Sequence, residues 1–231
     1  TKFDPNGQVV YSTYWGGSDN ELASQIALVD DGSVYLTGQT RSNDFPVTPG
    51  AAQATFGGGF RDNTLTKFDP MGQVVYSTYW GGSAGESTPQ IALGDDGSVY
   101  LEGGTGSSDF PVTAGAAQST YGGGTDYTLT KFDPNGQVVY STYWGGGAFE
   151  RRPEIALGDD GSVYLASYTR SNDFPVTAGA AQSTYGGGSQ DYTLTKFDAS
   201  GQVVYSTYWG GSDDEDFPRV ALGDDGSVYL V

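Results

Sequence analysis

Residues 1–15 read TKFDPNGQVVYSTYW, and near copies of this stretch begin again at Thr66, Thr130 and Thr195. The copies are spaced 65, 64 and 65 residues apart. A period of this length, with so little drift, is typical of one supersecondary unit that is copied and packed against its neighbours. The chain therefore holds three full repeats and the beginning of a fourth.

Each repeat contains two hairpin patterns. In the first, DPNG at residues 4–7 separates two β-rich runs; in the second, IALVDDGSVYL at residues 26–36, the turn is DDG. Asp, Asn and Gly suit such turns because they accept positive φ or bond to the local backbone. Strands that are apolar on both faces, as in the VVYSTYW run, are expected to lie between other layers. The long link at residues 40–62 is expected to hold one helical turn, with Thr48 as its cap and Pro49 at its first position.

Four strands per repeat, with sheets on both sides, predict the blade of a β-propeller. We expect an all-β fold and a single domain, residues 1–231, of four four-stranded blades. Residues 26–80, 91–144 and 155–209 form the complete blades, and residues 1–16 with 219–231 form a composite blade that closes the ring. The alternative is a larger ring formed by association of chains through the same open ends.

The motifs YSTYWGGS, DDGSVYLTG, SNDFPVT and TLTKFDPNGQ occur together. This combination resembles the SBBP-type bacterial β-propeller repeat over the whole chain. The family is named for seven blades, whereas this chain has material for four. The resemblance implies part of a bacterial extracellular or cell-surface protein and no single chemistry. The near-identity of the copies fits natural amplification and engineering equally.

The composition excludes several classes of function. The chain has 37 Gly, 14% aromatic residues, no Cys, no His and a formal net charge of −18. Without Cys or His, the usual nucleophile pairs and imidazole metal sites are excluded, and we expect no catalytic residue, metal or cofactor. The negative charge argues against nucleic acid and anionic membranes as partners, and the lack of a long apolar run argues against membrane insertion. Because it shows neither an initiator Met nor a signal peptide, the chain is expected to be a processed, trimmed or engineered segment.

Differences between the repeats cluster in three segments, with the first turn, which reads DPNG, DPMG or DASG, as a small exception. The three segments are the link before the IAL strand (18–25, 83–90, 147–154, 212–219), the end of the second hairpin, and the exit of the long loop. In a four-stranded meander all three lie at the end opposite the tight turns. Loops on a rigid scaffold commonly carry recognition residues, and all six Arg lie in these variable links or in the long loop.

We therefore predict a non-catalytic module that binds a glycan or a protein surface, as a monomeric ring or a strand-swapped homo-oligomer. The predicted ligand-binding residues are Glu21, Gln39, Arg61, Glu86, Glu102, Tyr127, Phe149, Arg151, Arg152, Tyr168, Tyr192, Phe217 and Arg219.

Other interpretations stay open beside this one. The chain could be a structural repeat scaffold without a specific ligand, and each Arg could simply offset nearby acids, including a Glu that recurs in every repeat. A glycosidase-like pair could arise among Glu86, Glu102, Glu150 and Glu154. The recurring Trp is better explained by packing between blades than by a ligand cage, and the twelve turn Asp by turn chemistry than by Ca²⁺ binding.

Overall fold

The computed structural model describes residues 1–215 and 218–231, with residues 23 and 24 described by their backbone alone. The described residues form strands and turns, and none of them belongs to a helix. Accordingly, this part of the chain offers no helix with the length and apolar character needed to cross a membrane. The predicted all-β class is confirmed.

In the described ranges sixteen strands form three four-stranded sheets and two hairpins. The N-terminal hairpin is β1 (Lys2–Phe3) and β2 (Val9–Tyr11). Sheet I is β3 (Glu21–Leu28), β4 (Val34–Thr40), β5 (Asp62–Phe68) and β6 (Val74–Trp80). Sheet II is β7 (Glu86–Leu93), β8 (Val99–Thr105), β9 (Asp126–Phe132) and β10 (Val138–Trp144). Sheet III is β11 (Glu150–Leu157), β12 (Val163–Thr169), β13 (Asp191–Phe197) and β14 (Val203–Trp209), and the C-terminal hairpin is β15 (Val220–Leu222) and β16 (Val228–Leu230).

Each sheet is an antiparallel meander in chain order, consistent with a propeller-like arrangement. The inner strands begin at Glu21, Glu86 and Glu150, five residues before the predicted boundaries at 26, 91 and 155. The sequence places the boundary at the apolar IAL run, but strand pairing extends through the polar segment before it.

The core lies between consecutive sheets. The inner strand β7 packs against β3 on one side and β11 on the other. Between sheets I and II the buried residues include Leu65, Trp80, Ile91 and Phe132. An equivalent cluster between sheets II and III is built from the same repeat positions. Every sheet face between two neighbours is therefore covered, as the doubly apolar strands predict.

The recurring Trp fastens one sheet to the next. Trp80 Nε1 donates to Thr130 Oγ1 at 2.9 Å, and its ring packs edge-on against Phe132 with centroids 5.2 Å apart. The packing interpretation of the Trp is confirmed at this junction.

The predicted helical turn in the long link is wrong. Residues 48–51 form a β-turn, in which Ala51 N donates to Thr48 O at 3.1 Å and Gly50 has a φ of 79°. Pro followed by a residue with positive φ is the pattern of a type II turn, which glycine favours. The loop is held to the outer strand by Tyr79, whose hydroxyl donates to Ser42 O and accepts from Phe45 N, both at 2.8 Å.

The two terminal hairpins remain separate two-stranded sheets. In the described residues β16 pairs with β15 and β1 pairs with β2, and the strand pairing that would make a composite blade within one chain is not formed. Blade number and ring closure therefore stay predictions.

Candidate functional site

Strand register places the variable segments at one end of the sheets. In sheet I Glu21 lies opposite Thr40, and Thr40 lies opposite Asp62; Leu28, Val34 and Phe68 align in the same way at the other end. Sheets II and III repeat this alignment. We call the end that carries the strand starts Glu21, Glu86 and Glu150 the variable rim. The tight turns lie at the opposite end.

The recurring Glu of the variable rim accepts hydrogen bonds that hold the neighbouring loop and strand end together. Glu86 is buried, and its Oε1 accepts hydrogen bonds from Thr105 Oγ1 at 2.9 Å, Ser107 Oγ at 2.7 Å and Gly82 N at 3.2 Å. Glu21 and Glu150 accept the same set of bonds in sheets I and III. The Glu86 and Glu150 carboxyl groups are thus each held by hydrogen bonds within their own repeat.

A second carboxyl group approaches Glu86 from the preceding sheet. Asp62 Oδ1 and Glu86 Oε2 converge on Gly81, where an added Cβ would lie 2.8 and 2.5 Å from them. Neither oxygen has a hydrogen-bond partner among the described residues. Burial raises the pKa of Asp62 to about 7 and also raises the pKa of Glu86.

The same arrangement recurs at the next two junctions. Asp126 and Glu150 converge on Gly145, and Asp191 and Glu215 converge on Gly210. Burial raises the pKa of Asp126 to about 6 and that of Glu150 to about 7. We call these three arrangements the junction carboxyl pairs. Sequence reasoning missed the Asp partners; their available signal was an Asp that begins the third strand of every complete repeat.

Glu102 is the most isolated of the predicted site residues. It is fully buried on β8, and neither carboxyl oxygen has a hydrogen-bond partner among the described residues. Burial raises its pKa well above the usual range. Thr37 and Ala166 occupy the equivalent positions in sheets I and III. A buried acid at this strand position is therefore specific to the middle repeat.

A groove of about 480 Å³ opens at the variable rim between sheets II and III. Its walls include Tyr127, Arg151, Arg152 and Tyr168, all predicted site residues. A smaller cavity of about 300 Å³ adjoins it and is lined by Arg152 and Arg219, with Gln90 and Glu154. Six of the predicted residues thus lie in this region of the variable rim. They are Tyr127, Phe149, Arg151, Arg152, Tyr168 and Arg219.

The inner strands are bulged where they line this groove. The pairing register shifts between Ser87 and Gln90 on β7 and between Arg151 and Glu154 on β11. Thr88 and Arg152 have φ values of 45° and 54°, the left-handed region that non-glycine residues rarely adopt. Bulges and backbone strain of this kind are concentrated at functional sites, where they redirect a side chain.

Arginine stacks on phenylalanine at two places on the variable rim. The Arg151 guanidinium lies 5.2 Å from the Phe149 ring centre, and both side chains are exposed. At the preceding junction Arg41 and Arg61 lie 3.7 and 4.7 Å from the exposed Phe60 ring. Arg219 forms an ion pair with Glu154. For Arg41, Arg61 and Arg151 these contacts favour stacking over simple charge offset.

The remaining predicted residues hold the scaffold or lie apart from the groove. Gln39 donates to Glu86 O and links sheets I and II, and the Tyr127 hydroxyl lies 2.9 Å from both Arg151 O and Tyr168 O. Tyr192 is half-buried on β13. Phe217 lies outside the described residues.

The acidic turns at the opposite end show ordinary turn chemistry. Asp4 Oδ1 accepts from Asn6 N at 2.9 Å and from Gln8 N at 2.8 Å. Asp31 Oδ1 accepts from Ser33 N at 2.7 Å, and this bond lowers the pKa of Asp31. Among the described residues no three acidic side chains come together as metal ligands.

Comparisons with known proteins give few relatives. No family model matches the chain. The chain is 29% identical over 240 aligned positions to the regulatory protein FlaEY of Caulobacter vibrioides, an alignment that covers 98% of this chain and 23% of that protein. The chain thus spans less than a quarter of this relative. Among solved structures, hydrazine synthase of Kuenenia stuttgartiensis aligns with a TM-score of 0.43 and 15% identity, over 89% of this chain and 48% of that one.

Proposed function

We propose that the protein is a non-catalytic interaction module that binds its ligand at the variable rim, in the groove between sheets II and III. The observation that carries the proposal is the convergence of repeat-specific residues on a bulged strand. Arg151 and Arg152 lie where β11 departs from regular pairing, beside a groove of about 480 Å³. The equivalent positions on β7 are Ser87 and Thr88, so this pair of cations belongs to one repeat alone.

Two arginines in a chain with a net charge of −18 make a local cationic site on an acidic molecule. Planar guanidinium groups bind carboxylates bidentately and stack on rings, and Phe149 already provides one such ring. An acidic glycan or an acidic protein surface fits this chemistry. The likeness to a protein named as regulatory is compatible with an interaction role. The SBBP-type resemblance and a bacterial surface location remain parts of the same proposal.

A glycan array with neutral and acidic sugars, followed by titration of any hit, tests the proposal. The double variant Arg151→Ala, Arg152→Ala is expected to weaken binding about tenfold or more, because central Arg contacts carry much of an interface's energy. The matched control is Lys131→Ala with Lys196→Ala. It removes two cations from the opposite end, where each Lys pairs with an exposed turn Asp.

An equal loss in both double variants would mean that net charge, not the groove, governs binding. Silence across the array, together with failure to bind any purified acidic protein tested, favours a structural scaffold without a specific ligand.

A further inference from the structure

The two terminal hairpins are two-stranded, and together they carry the sequences of one complete four-stranded sheet. In sheet II the SVYL strand β8 pairs with the TKFD strand β9, with Val99 opposite Phe132 and Leu101 opposite Thr130. Strand β16 carries the same SVYL sequence and β1 the same TKFD sequence. In the described structure β16 has no TKFD strand beside it, and β1 has no SVYL strand. The two open edges are therefore complementary.

Side-chain contacts at the sheet junctions show the same complementarity. The Trp that ends each outer strand donates to the Thr of the next TKFD strand at 2.9–3.0 Å, in the pairs Trp15–Thr66, Trp80–Thr130 and Trp144–Thr195. By this rule Trp209 should meet Thr1 and Phe3. Instead Trp209 is 55% exposed and Phe3 59% exposed, whereas Phe132 is fully buried.

Two further contacts recur between neighbouring sheets, and their equivalents at the terminal hairpins lack a partner sheet. Gln137 Nε2 donates to Gly50 O at 3.0 Å, and Gln202 repeats this bond to Gly115; the next pair in the series is Gln8 with Gly179. The ring of Tyr76 packs directly on Gly136, 2.7 Å from where a Cβ would stand. Gly7, the equivalent of Gly136, has no atom within 4 Å of that position.

The chain does not join these edges to each other in this structure. The N-terminal hairpin is packed on sheet I through Trp15, and the C-terminal hairpin is packed on β11 and β12. With both hairpins held in this way, Ile26 on β3 is 64% exposed, whereas its equivalent Ile91 is 5% exposed. Among the described residues β1 pairs with β2 and β16 pairs with β15, so the outer edge of each hairpin is available to a strand from a second copy.

We infer that the chain associates head to tail with a second copy of itself, with β16 of each copy adding to β1 of the other. Two identical joints close such a pair into a ring, which leaves no open edge. At each joint Lys2 would lie over Tyr229 and beside Asp225. This repeats the contacts of Lys131, which lies 5.1 Å from the Tyr100 ring and 3.1 Å from Asp96. The association is independent of ligand binding at the variable rim.

Sedimentation equilibrium of the 231-residue chain is the first test. We expect a concentration-dependent mass that reaches twice the 24.2 kDa of one chain. Trp209→Ser should weaken the association about tenfold or more without unfolding the monomer, because this side chain is already exposed there. Val139→Ser removes an equally exposed apolar side chain away from the joint and should have no effect.

Cysteine pairing gives a second, geometric test, since the chain has no Cys of its own. The internal register places Tyr100 opposite Lys131, so Tyr229→Cys with Lys2→Cys should form a disulfide between two chains on mild oxidation. Thr120→Cys with Tyr229→Cys is the control that should stay unlinked. A mass of one chain at every concentration would overturn the inference, and so would a Lys2→Cys, Tyr229→Cys disulfide formed within one chain.

Discussion

At the scale of single residues, the junction carboxyl pairs are the least expected feature of the molecule. Asp62 and Glu86 come from different sheets and both are buried, and Asp62 Oδ1 and Glu86 Oε2 have no hydrogen-bond partner among the described residues. Two charged carboxylates at this separation would repel strongly in a medium of low dielectric, so the stable form carries one shared proton. The raised pKa of Asp62 therefore favours a neutral acid at the junction between sheets I and II.

The free energy of unfolding is expected to fall as pH rises through the raised pKa of Asp62. The folded-state pKa of Asp62, about 7, lies above the ordinary value of 3.8, so the folded protein binds the proton more tightly than the unfolded chain. The contribution is complete below pH 4 and is lost as pH rises to about 7. Thermal or urea unfolding at pH 5 and pH 8 should show the lower stability at pH 8.

Asp62→Asn provides the control for this prediction. Its amide can donate to Glu86 Oε2 while its oxygen still accepts from Gly57 N, as Asp62 Oδ2 does at 2.5 Å. We expect the variant to gain about 1–3 kcal/mol over the wild type at pH 8, the usual cost of an unsatisfied buried group. It should also show a weaker pH dependence than the wild type. An unchanged pH dependence in Asp62→Asn would assign the effect to other buried acids, such as Glu102.

At the scale of secondary-structure elements, the bulge on β7 is expected to lower the stability of the protein through backbone strain. Thr88 is β-branched and has a φ of 45°, where a Cβ is strained and glycine is not. Thr88→Gly should therefore stabilise the protein by about 1 kcal/mol in urea unfolding, the scale of the left-handed penalty. Ser87→Gly, next to it but outside the left-handed region, should be neutral or destabilising. If both variants destabilise equally, the bulge is not strained.

The hairpins could be predicted from sequence because their signals are local. The DPNG and DDG turns bond within themselves, as the contacts of Asp4 show. The turn at residues 48–51 was mistaken for a helix start, since Thr-Pro suits both structures and only the positive φ of Gly50 separates them. The true starts of the inner strands were missed because polar residues such as Glu86 extend the pairing.

The variable rim could also be predicted, since strand alternation alone decides which loops share an end of a sheet. Burial within it could not. Variation between the repeats predicts both Arg152 and Glu102 as ligand-binding residues, but Arg152 is exposed and Glu102 is fully buried. The difference depends on packing between neighbouring sheets, and no pattern within one repeat encodes that packing.

At the scale of the whole molecule, the repeats carry charged residues at equivalent positions, such as the Asp residues of the tight turns. The chain has 28 acidic and 10 basic residues, and its tight turns hold twelve of the acidic residues at the end opposite the variable rim. Self-repulsion of this kind opposes the compact state, and it is largest at low ionic strength. The junction carboxyl pairs add to it whenever they lose their proton. Charge therefore limits the stability of this fold in a way that no single contact shows.

Salt should stabilise the protein for this reason. Raising NaCl from about 10 mM to about 150 mM shortens the screening length from about 30 Å to about 8 Å, so repulsion between the acidic turns is largely removed. We expect the melting temperature at pH 7, at one low protein concentration, to rise by about 2–4 °C, the shift that 1 kcal/mol produces in a chain of this size. The triple variant Asp30→Asn, Asp95→Asn, Asp159→Asn removes an exposed charge from the first Asp in three of the four DDG turns and keeps the second Asp, which bonds to the turn. This variant should start from a higher melting temperature and respond less to salt. An equal response in both proteins would show that repulsion between the turns does not limit stability, and that the unfavourable charges lie in the buried junctions instead.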